Sequence, residues 1–344
     1  MISRMRTHCQ ALFLLLATAG LLGSCSDTGR EWQHGGTIMG TRYTVTIADC
    51  PPNTCTGKLT GKIDGELKNI NRQMSHFDGD SELSGFNKLE STDWYPVSPE
   101  LATVVELALS ISELSDGMFD ITVAPAVNAW GFGSQDVVAE APSEEIIAEA
   151  VRHSGWQKIQ IRSAPPALRK TDPKVTLDLS AIAKGFAVDR LAYLLEFDGV
   201  QNFLVEIGGE IRTVGLRGDG KPWRIGVERP GTGLDISFVI TPRENAVATS
   251  GDYRNYRMLG SRRISHVINP QTGMPAATEL ASVTVVDASA SNADALATTL
   301  MVMGAKKGVE FAAQNNIPAL FIVRDGDTFR PIVMAEFEPY LAFD

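Results

Sequence analysis

The sequence predicts an α+β fold: antiparallel-rich sheets flanked by helices, forming a single compact catalytic unit. Three observations carry that expectation. Apolar residues switch repeatedly between strand alternation and helical spacing, without the strict strand-helix alternation of a doubly wound sheet. Short strand runs within 203–240 are joined by Gly-rich turns, the pattern of antiparallel hairpins. No linker divides the chain, and even the richest breaker segment, 215–233, reads as hairpin turns.

Taken in order, alternation over 37–47 predicts a first strand, and a helix over 58–74 places Leu59, Ile63, Leu67, Ile70 and Met74 on one face. A second helix, 99–114, opens after Ser98, a favoured N-cap residue. Helical spacing returns at 143–153 and 181–195. Strands are expected at 156–162, 175–179, 203–207, 223–227, 236–240 and 282–286. Helices at 292–303 and 306–315 and a strand at 319–324 complete the pattern.

Residues 1–24 stand outside this fold. Arg4 and Arg6 precede an apolar run, 11–22, that is too short to span a bilayer comfortably and reads as an export signal. The run ends in Leu22-Gly23-Ser24-Cys25, which resembles the lipobox of bacterial lipoproteins. Cys25 would then carry lipid and begin a mature domain over 25–344. Ser26 rather than Asp after the cysteine points to the outer membrane, with the inner membrane as the alternative and the domain on the periplasmic face. In that oxidising compartment Cys50 and Cys55, spaced by Pro51, Pro52, Asn53 and Thr54, suit a small disulfide-closed loop; two free thiols are the alternative.

A hydrophobic content of 44% with 21% charged residues excludes a disordered chain. The net charge of −10 and the absence of any basic run argue against nucleic acid as a partner. There is no HExxH, P-loop or GxSxG pattern, so zincin, P-loop and α/β-hydrolase chemistry drop out.

Three stretches remain. In 291–304 (SNADALATTLMVMG), a helix would put Asp294 and Thr298 one turn apart on one face, hard oxygen donors suited to Mg²⁺ or Ca²⁺. The competing reading is a capping box of Ser291 with Asp294 and a Thr298 hydroxyl bonded to backbone. In 175–191 (VTLDLSAIAKGFAVDRL), Asp178, Lys184 and a helix start near Ser180 or Ala181 could gather an anion or a metal-bound diphosphate, or form a solvated helix face. The Gly- and Pro-punctuated aromatics of 117–133 read alone as core and turn.

Together with MGTRYTV (39–45), MSHFDGDSELSGFN (74–87), VEIGGEI (205–211), VATSGDYRNY (247–256) and ISHVINPQTGMP (264–275), these stretches are far more specific. The chain resembles the bacterial FAD:protein FMN transferases, the ApbE-like flavin transferase lipoproteins, with eight motifs in family order over nearly all of the mature chain. The resemblance implies Mg²⁺-dependent transfer of the FMN half of FAD to a Ser or Thr hydroxyl of a partner protein, with release of AMP. It points to Asp294, Thr298 and the backbone carbonyl of Ala181 as metal ligands. It places Met39, Phe77, Met118, Phe119, Asp120, Asp178, Lys184 and His266 around the FAD. Many relatives have a hydroxylated aromatic where Phe77 stands, which keeps stacking and lacks the hydroxyl; the Lys184 position is acidic in some relatives.

The implied chemistry suits the residues. Displacement at phosphorus needs the diphosphate held in line and its charge neutralised, which one cation and a helix N-terminus can supply. His266 has a near-neutral reference pKa and is expected either to accept the proton of the acceptor hydroxyl or to position a substrate. Two other functions stay open: hydrolysis of FAD to FMN and AMP, and a non-catalytic FAD-binding lipoprotein, the latter disfavoured by the intact Asp294 and Thr298. The resemblance suggests flavin-carrying subunits of sodium-translocating NADH:quinone reductase or Rnf-type complexes as acceptors.

Overall fold

The computed structural model describes residues 31–51, 53–133, 140–231, 235–252, 256–259, 262–276, 279–326 and 328–342. The expected signal segment and Cys25 lie outside the described residues. Seven helices are described: α1 (Gly57–Met74), α2 (Glu82–Lys88), α3 (Pro99–Leu114), α4 (Ala124–Ala129), α5 (Glu144–Arg152), α6 (Ala183–Phe197) and α7 (Ala290–Gln314). The strands of the main sheet are β1 (Trp32–Ile38), β2 (Thr41–Ile47), β6 (Phe203–Ile207), β7 (Glu210–Val214), β10 (Ala246–Gly251), β13 (Leu280–Asp287), β14 (Ala319–Asp325) and β15 (Thr328–Val333). Smaller sheets pair β3 (Tyr95–Pro96) and β4 (Ile159–Ser163) with β5 (Pro166–Lys170), β8 (Ile225–Glu228) with β9 (Ile236–Ile240), and β11 (Tyr256–Leu259) with β12 (Arg262–Ser265).

The main sheet runs β1-β2-β6-β7-β10-β13-β14-β15, and every neighbouring pair is antiparallel. The α+β expectation holds. β6 and β7 meet through Gly208 and Gly209, with φ of 66° and 107°. A two-residue hairpin of this hand needs positive φ at both positions, which Gly adopts without a Cβ clash. Helix α7 lies on β10 and β13 and packs against α6, which also touches β6 and β7. One apolar core extends from Tyr43 to Phe337, and a smaller cluster of Ala126, Trp130, Ile147, Ala150, Ile264 and Ile268 joins α4 and α5 to β12 and the chain after it. Trp130 strengthens that junction, its indole N–H donating to the Gly273 carbonyl at 2.8 Å.

Local signals account for α1 and α3. The apolar face of α1 is buried as the spacing requires, and the Ser98 hydroxyl accepts the Leu101 N–H at 3.2 Å at the start of α3. Elsewhere the structure corrects the expectations. The span 37–47 is two strands rather than one, the end of β1 and all of β2, because Met39 and Gly40 take φ of 51° and 70° and reverse the chain between them. The span 175–179 is not a strand, although Val175, Leu177 and Leu179 are buried in alternation. The Asn87 amide takes both the N–H and the carbonyl of Leu177, at 2.7 and 2.9 Å, and the Asp178 N–H donates to the Ile121 carbonyl, so no ladder forms. The span 156–162 opens as a 3-10 turn, Trp156–Lys158, before β4. The two helices expected at 292–303 and 306–315 are both present as the halves of α7, separated by a break at Gly304 with φ 76°, where Glu279 accepts the Ala305 N–H at 3.1 Å.

Cys50 and Cys55 are joined by a disulfide between β2 and α1, with Cα atoms 6.1 Å apart. Among the described residues no helix is long and apolar enough to cross a membrane.

Candidate functional site

The site is built where the first turns of α6 and α7 meet. Gly185 makes that approach feasible: a Cβ there would lie 2.2 Å from the Ala290 carbonyl oxygen and 2.8 Å from the Ser291 Cα. A helix start leaves N–H groups without intrahelical partners, and α6 has no side-chain cap of its own at Ile182. Asp294, from the second turn of α7 and 3% exposed, crosses over and accepts the Gly185 N–H at 3.1 Å. Asp189, from α6, makes the opposite crossing. It accepts the N–H groups of Ala290 and Ser291 and the hydroxyls of Ser289 and Ser291, all within 2.9 Å. The N-cap of α7 is Ser289, so Asp294 does not act in a capping box with Ser291.

Lys184 stands between two buried carboxylates, 3.1 Å from Glu210 and 3.5 Å from Asp294. Burial opposes the Lys184 charge, but attraction to Asp294 and then Glu210 outweighs it and holds the ammonium above its ordinary pKa. Burial pushes the Glu210 carboxyl up to about 8 despite Lys184, and its Oε2 is buried without a partner. A turn further along α7, the Thr298 hydroxyl lies 3.0 Å from that of Ser250 on β10.

These groups floor a cavity of about 920 Å³. Of the residues expected at the site, Phe77, Met118, Phe119, Asp120, Asp178, Ala181, Lys184, His266, Asp294 and Thr298 all line it. Met39 does not; it sits in the β1–β2 turn, half-buried against the core. Phe77 stands at the mouth, 64% exposed, with its ring 4.0 Å from that of His76. Asp178 accepts the N–H and hydroxyl of Ser180, at 2.8 and 2.5 Å, turning the chain into α6, while His76 Nδ1 approaches it at 3.3 Å. Asp120 is largely committed to structure: Oδ1 takes the N–H and hydroxyl of Thr122, and Oδ2 takes the Trp156 N–H at 2.9 Å. Burial raises its pKa although those donors pull the other way. His266, just after β12, meets the Phe132 ring edge-on at 6.3 Å.

Among the described residues no cluster of three or more His, Cys, Asp or Glu is arranged to hold a metal. Asp294, Thr298 and Ala181, which offer a carboxylate, a hydroxyl and a backbone carbonyl, all line the cavity. This all-oxygen set, with one buried carboxylate, suits a hard divalent cation that keeps several waters. Glu210, Ser250, Phe132 and Asp189 were not anticipated. All four lie inside the motif stretches; for the first three an acid directly after Gly-Gly, a hydroxyl before Gly and an aromatic between glycines were the available signals, and Asp189 carried none.

The model of the ApbE family matches residues 39–321. The chain belongs to the ApbE family. It is 40% identical over 328 residues to the FAD:protein FMN transferase of Vibrio cholerae, covering 95% of this chain and 98% of the relative. It is 35% identical over 309 residues to the FAD:protein FMN transferase of Escherichia coli K12, covering 89% and 88%. The solved flavin transferase ApbE from Vibrio cholerae superposes with a TM-score of 0.84 over 91% of this chain and 99% of that one. The apo flavinyl transferase ApbE from Pseudomonas stutzeri, 36% identical, gives 0.83 over 90% and 96%. This ApbE-family chain is therefore an enzyme with the ApbE fold.

Proposed function

We propose that this protein transfers the FMN half of FAD to a Ser or Thr hydroxyl of a partner protein and releases AMP. The observation that carries the reading is one cavity lined by the buried Asp294 beside the start of α6, by Thr298 and Ala181, and by the aromatic rings of Phe77 and Phe119. Asp294, Thr298 and Ala181 would hold Mg²⁺, which when bound neutralises charge on the diphosphate. Phe77, Met118 and Phe119 offer apolar surface for the isoalloxazine ring. Lys184, which also lines the cavity, pairs with both Glu210 and Asp294. In the reaction the acceptor oxygen bonds to the FMN phosphorus, the diphosphate P–O bond breaks, AMP leaves and the hydroxyl loses its proton. His266, which lines the cavity, takes that proton.

The signal segment and lipobox support export and attachment through lipid on Cys25, on the periplasmic face and at the outer membrane. Acceptors of the kind found in sodium-translocating NADH:quinone reductase or Rnf-type complexes fit this placement.

Incubation with FAD, Mg²⁺ and a candidate acceptor domain should add an FMN-sized mass to one Ser or Thr. Free FMN and AMP with no protein adduct would favour hydrolysis instead. His266→Ala should bind FAD nearly normally and transfer about 10² to 10⁴ times more slowly. Recovery of the rate at saturating FAD would reassign His266 to flavin contact.

A further inference from the structure

The cavity is markedly acidic: Asp120, Asp178, Glu206, Glu210, Glu228 and Asp294 all line it. Among the described lining residues the permanent cations are Lys184 and Arg257. Lys184 is already engaged by Glu210 and Asp294.

Arg257 is different. It lies on β11 opposite Ile264 of β12, on the arm that leads into His266, and its guanidinium rests over the Phe132 ring at 5.3 Å. Among the described residues no carboxylate pairs with it, and its Nη1 is buried without a hydrogen-bond partner. The other arginines of this end of the sheet have a carboxylate: Arg263 and Arg324 both reach Asp252, and Arg263, although its Nε is also buried without a partner, donates to the Asp252 carbonyl at 2.7 Å. A buried guanidinium N–H with no acceptor is costly, and stacking on an aromatic face offsets that cost only in part. The missing acceptor is therefore to be sought in what enters the cavity.

We propose that Arg257 is a phosphate-binding residue of the cavity, whose guanidinium leaves its unsatisfied pose on Phe132 to take oxygens of the diphosphate of the incoming flavin dinucleotide. The proposal rests on the FAD-dependent reading above and adds a residue to it. The fork of N–H donors matches phosphate oxygens two at a time, which a lysine ammonium cannot do. A diphosphate entering six carboxyl groups needs positive charge beyond Lys184. Arg257 lines the cavity and its unpartnered nitrogen is buried, which favours a small-molecule oxyanion over a carboxylate of a protein docked at the rim.

The test is FAD binding by the full chain in detergent, read from flavin fluorescence with and without EDTA, beside riboflavin, which carries the same ring without phosphate. Arg257→Met should weaken FAD binding about 10- to 100-fold, the loss expected for a charge-assisted hydrogen bond, and leave riboflavin within about twofold. Arg257→Lys should fall between Met and wild type, and it serves as the test if the Met variant does not fold. Unchanged FAD affinity, or an equal loss for riboflavin, would overturn the proposal. So would normal FAD affinity with a raised KM for the acceptor protein, which would assign the anion to the acceptor. Phosphate-dependent FAD binding in a wild type that makes no flavoprotein would sink the transfer reading alone. Transfer that is indifferent to Arg257→Met would sink this proposal alone, and a wild type that binds no FAD would sink both.

Discussion

At the start of α7, Asp189 takes two backbone N–H groups and two hydroxyls, and Arg212 closes on it at 3.2 Å. At the start of α6, Asp294 takes a single N–H and meets an ammonium at 3.5 Å, with the cavity on its other side. The two carboxylates are exchanged between the same two helices, yet they differ in how many of their roughly four lone-pair positions the protein has filled. A saturated carboxylate has nothing left to offer and acts as a clamp. An incompletely used one, buried and facing a cavity, keeps capacity for a ligand. Helix polarity favours a negative group at both starts; saturation separates their roles.

The most severe test of that contrast is Asp294→Asn, which keeps an oxygen for the Gly185 N–H and removes the charge. Transfer should fall by about 10² to 10³, the range for losing one pre-organised electrostatic contact, while the melting temperature barely moves. A normal rate without extra Mg²⁺ would make Asp294 a clamp like Asp189. Gly185→Ala attacks both crossings together. Its Cβ would press on the backbone of Ala290, so unfolding in urea should show a loss of about 3 kcal/mol, the upper part of the overpacking range. Unchanged stability would show that the helices can part and that the two carboxylates are independent. Asp189→Ala should cost about 2 kcal/mol, as for a strong cap, with transfer per folded molecule preserved. A rate loss as steep as that of Asp294→Asn would collapse the distinction. Smallest is the double change Cys50→Ser and Cys55→Ser, remote from both helix starts. Closing so short a loop contributes below about 2 kcal/mol, and transfer should be untouched in a rate assay on the reduced-stability protein.

What was legible in the sequence follows the range of the forces involved. Helices α1 and α3 announce themselves because cap and apolar stripe lie within the element. The alternation of 175–179 is equally clear, and its burial is real, but strand formation needs a neighbour and Asn87 occupies that edge. β10 was missed because its residues, Ala246–Gly251, are mostly small and owe their extended form to β13 and β7 alongside. At the site, the spacing of Asp294 and Thr298 within one helix could be read directly. The crossing of Asp189 could not, since its serine partner Ser289 lies 100 residues away. Met39 lies in the left-handed turn between β1 and β2 and is not among the residues lining the cavity, and that turn, unlike the motif, was not legible in the sequence.

Trp130 gives the molecule an optical consequence. Its indole is 5% exposed and tied to Gly273, and the next residues along the chain, Gly131 and Phe132, form cavity wall. Tryptophan emits where oxidised flavin absorbs, so a ring system seated in this cavity would drain its excited state through space. The protein thereby carries its own dye-free gauge of occupancy: the decline of indole emission during titration with FAD would report loading before any covalent product appears.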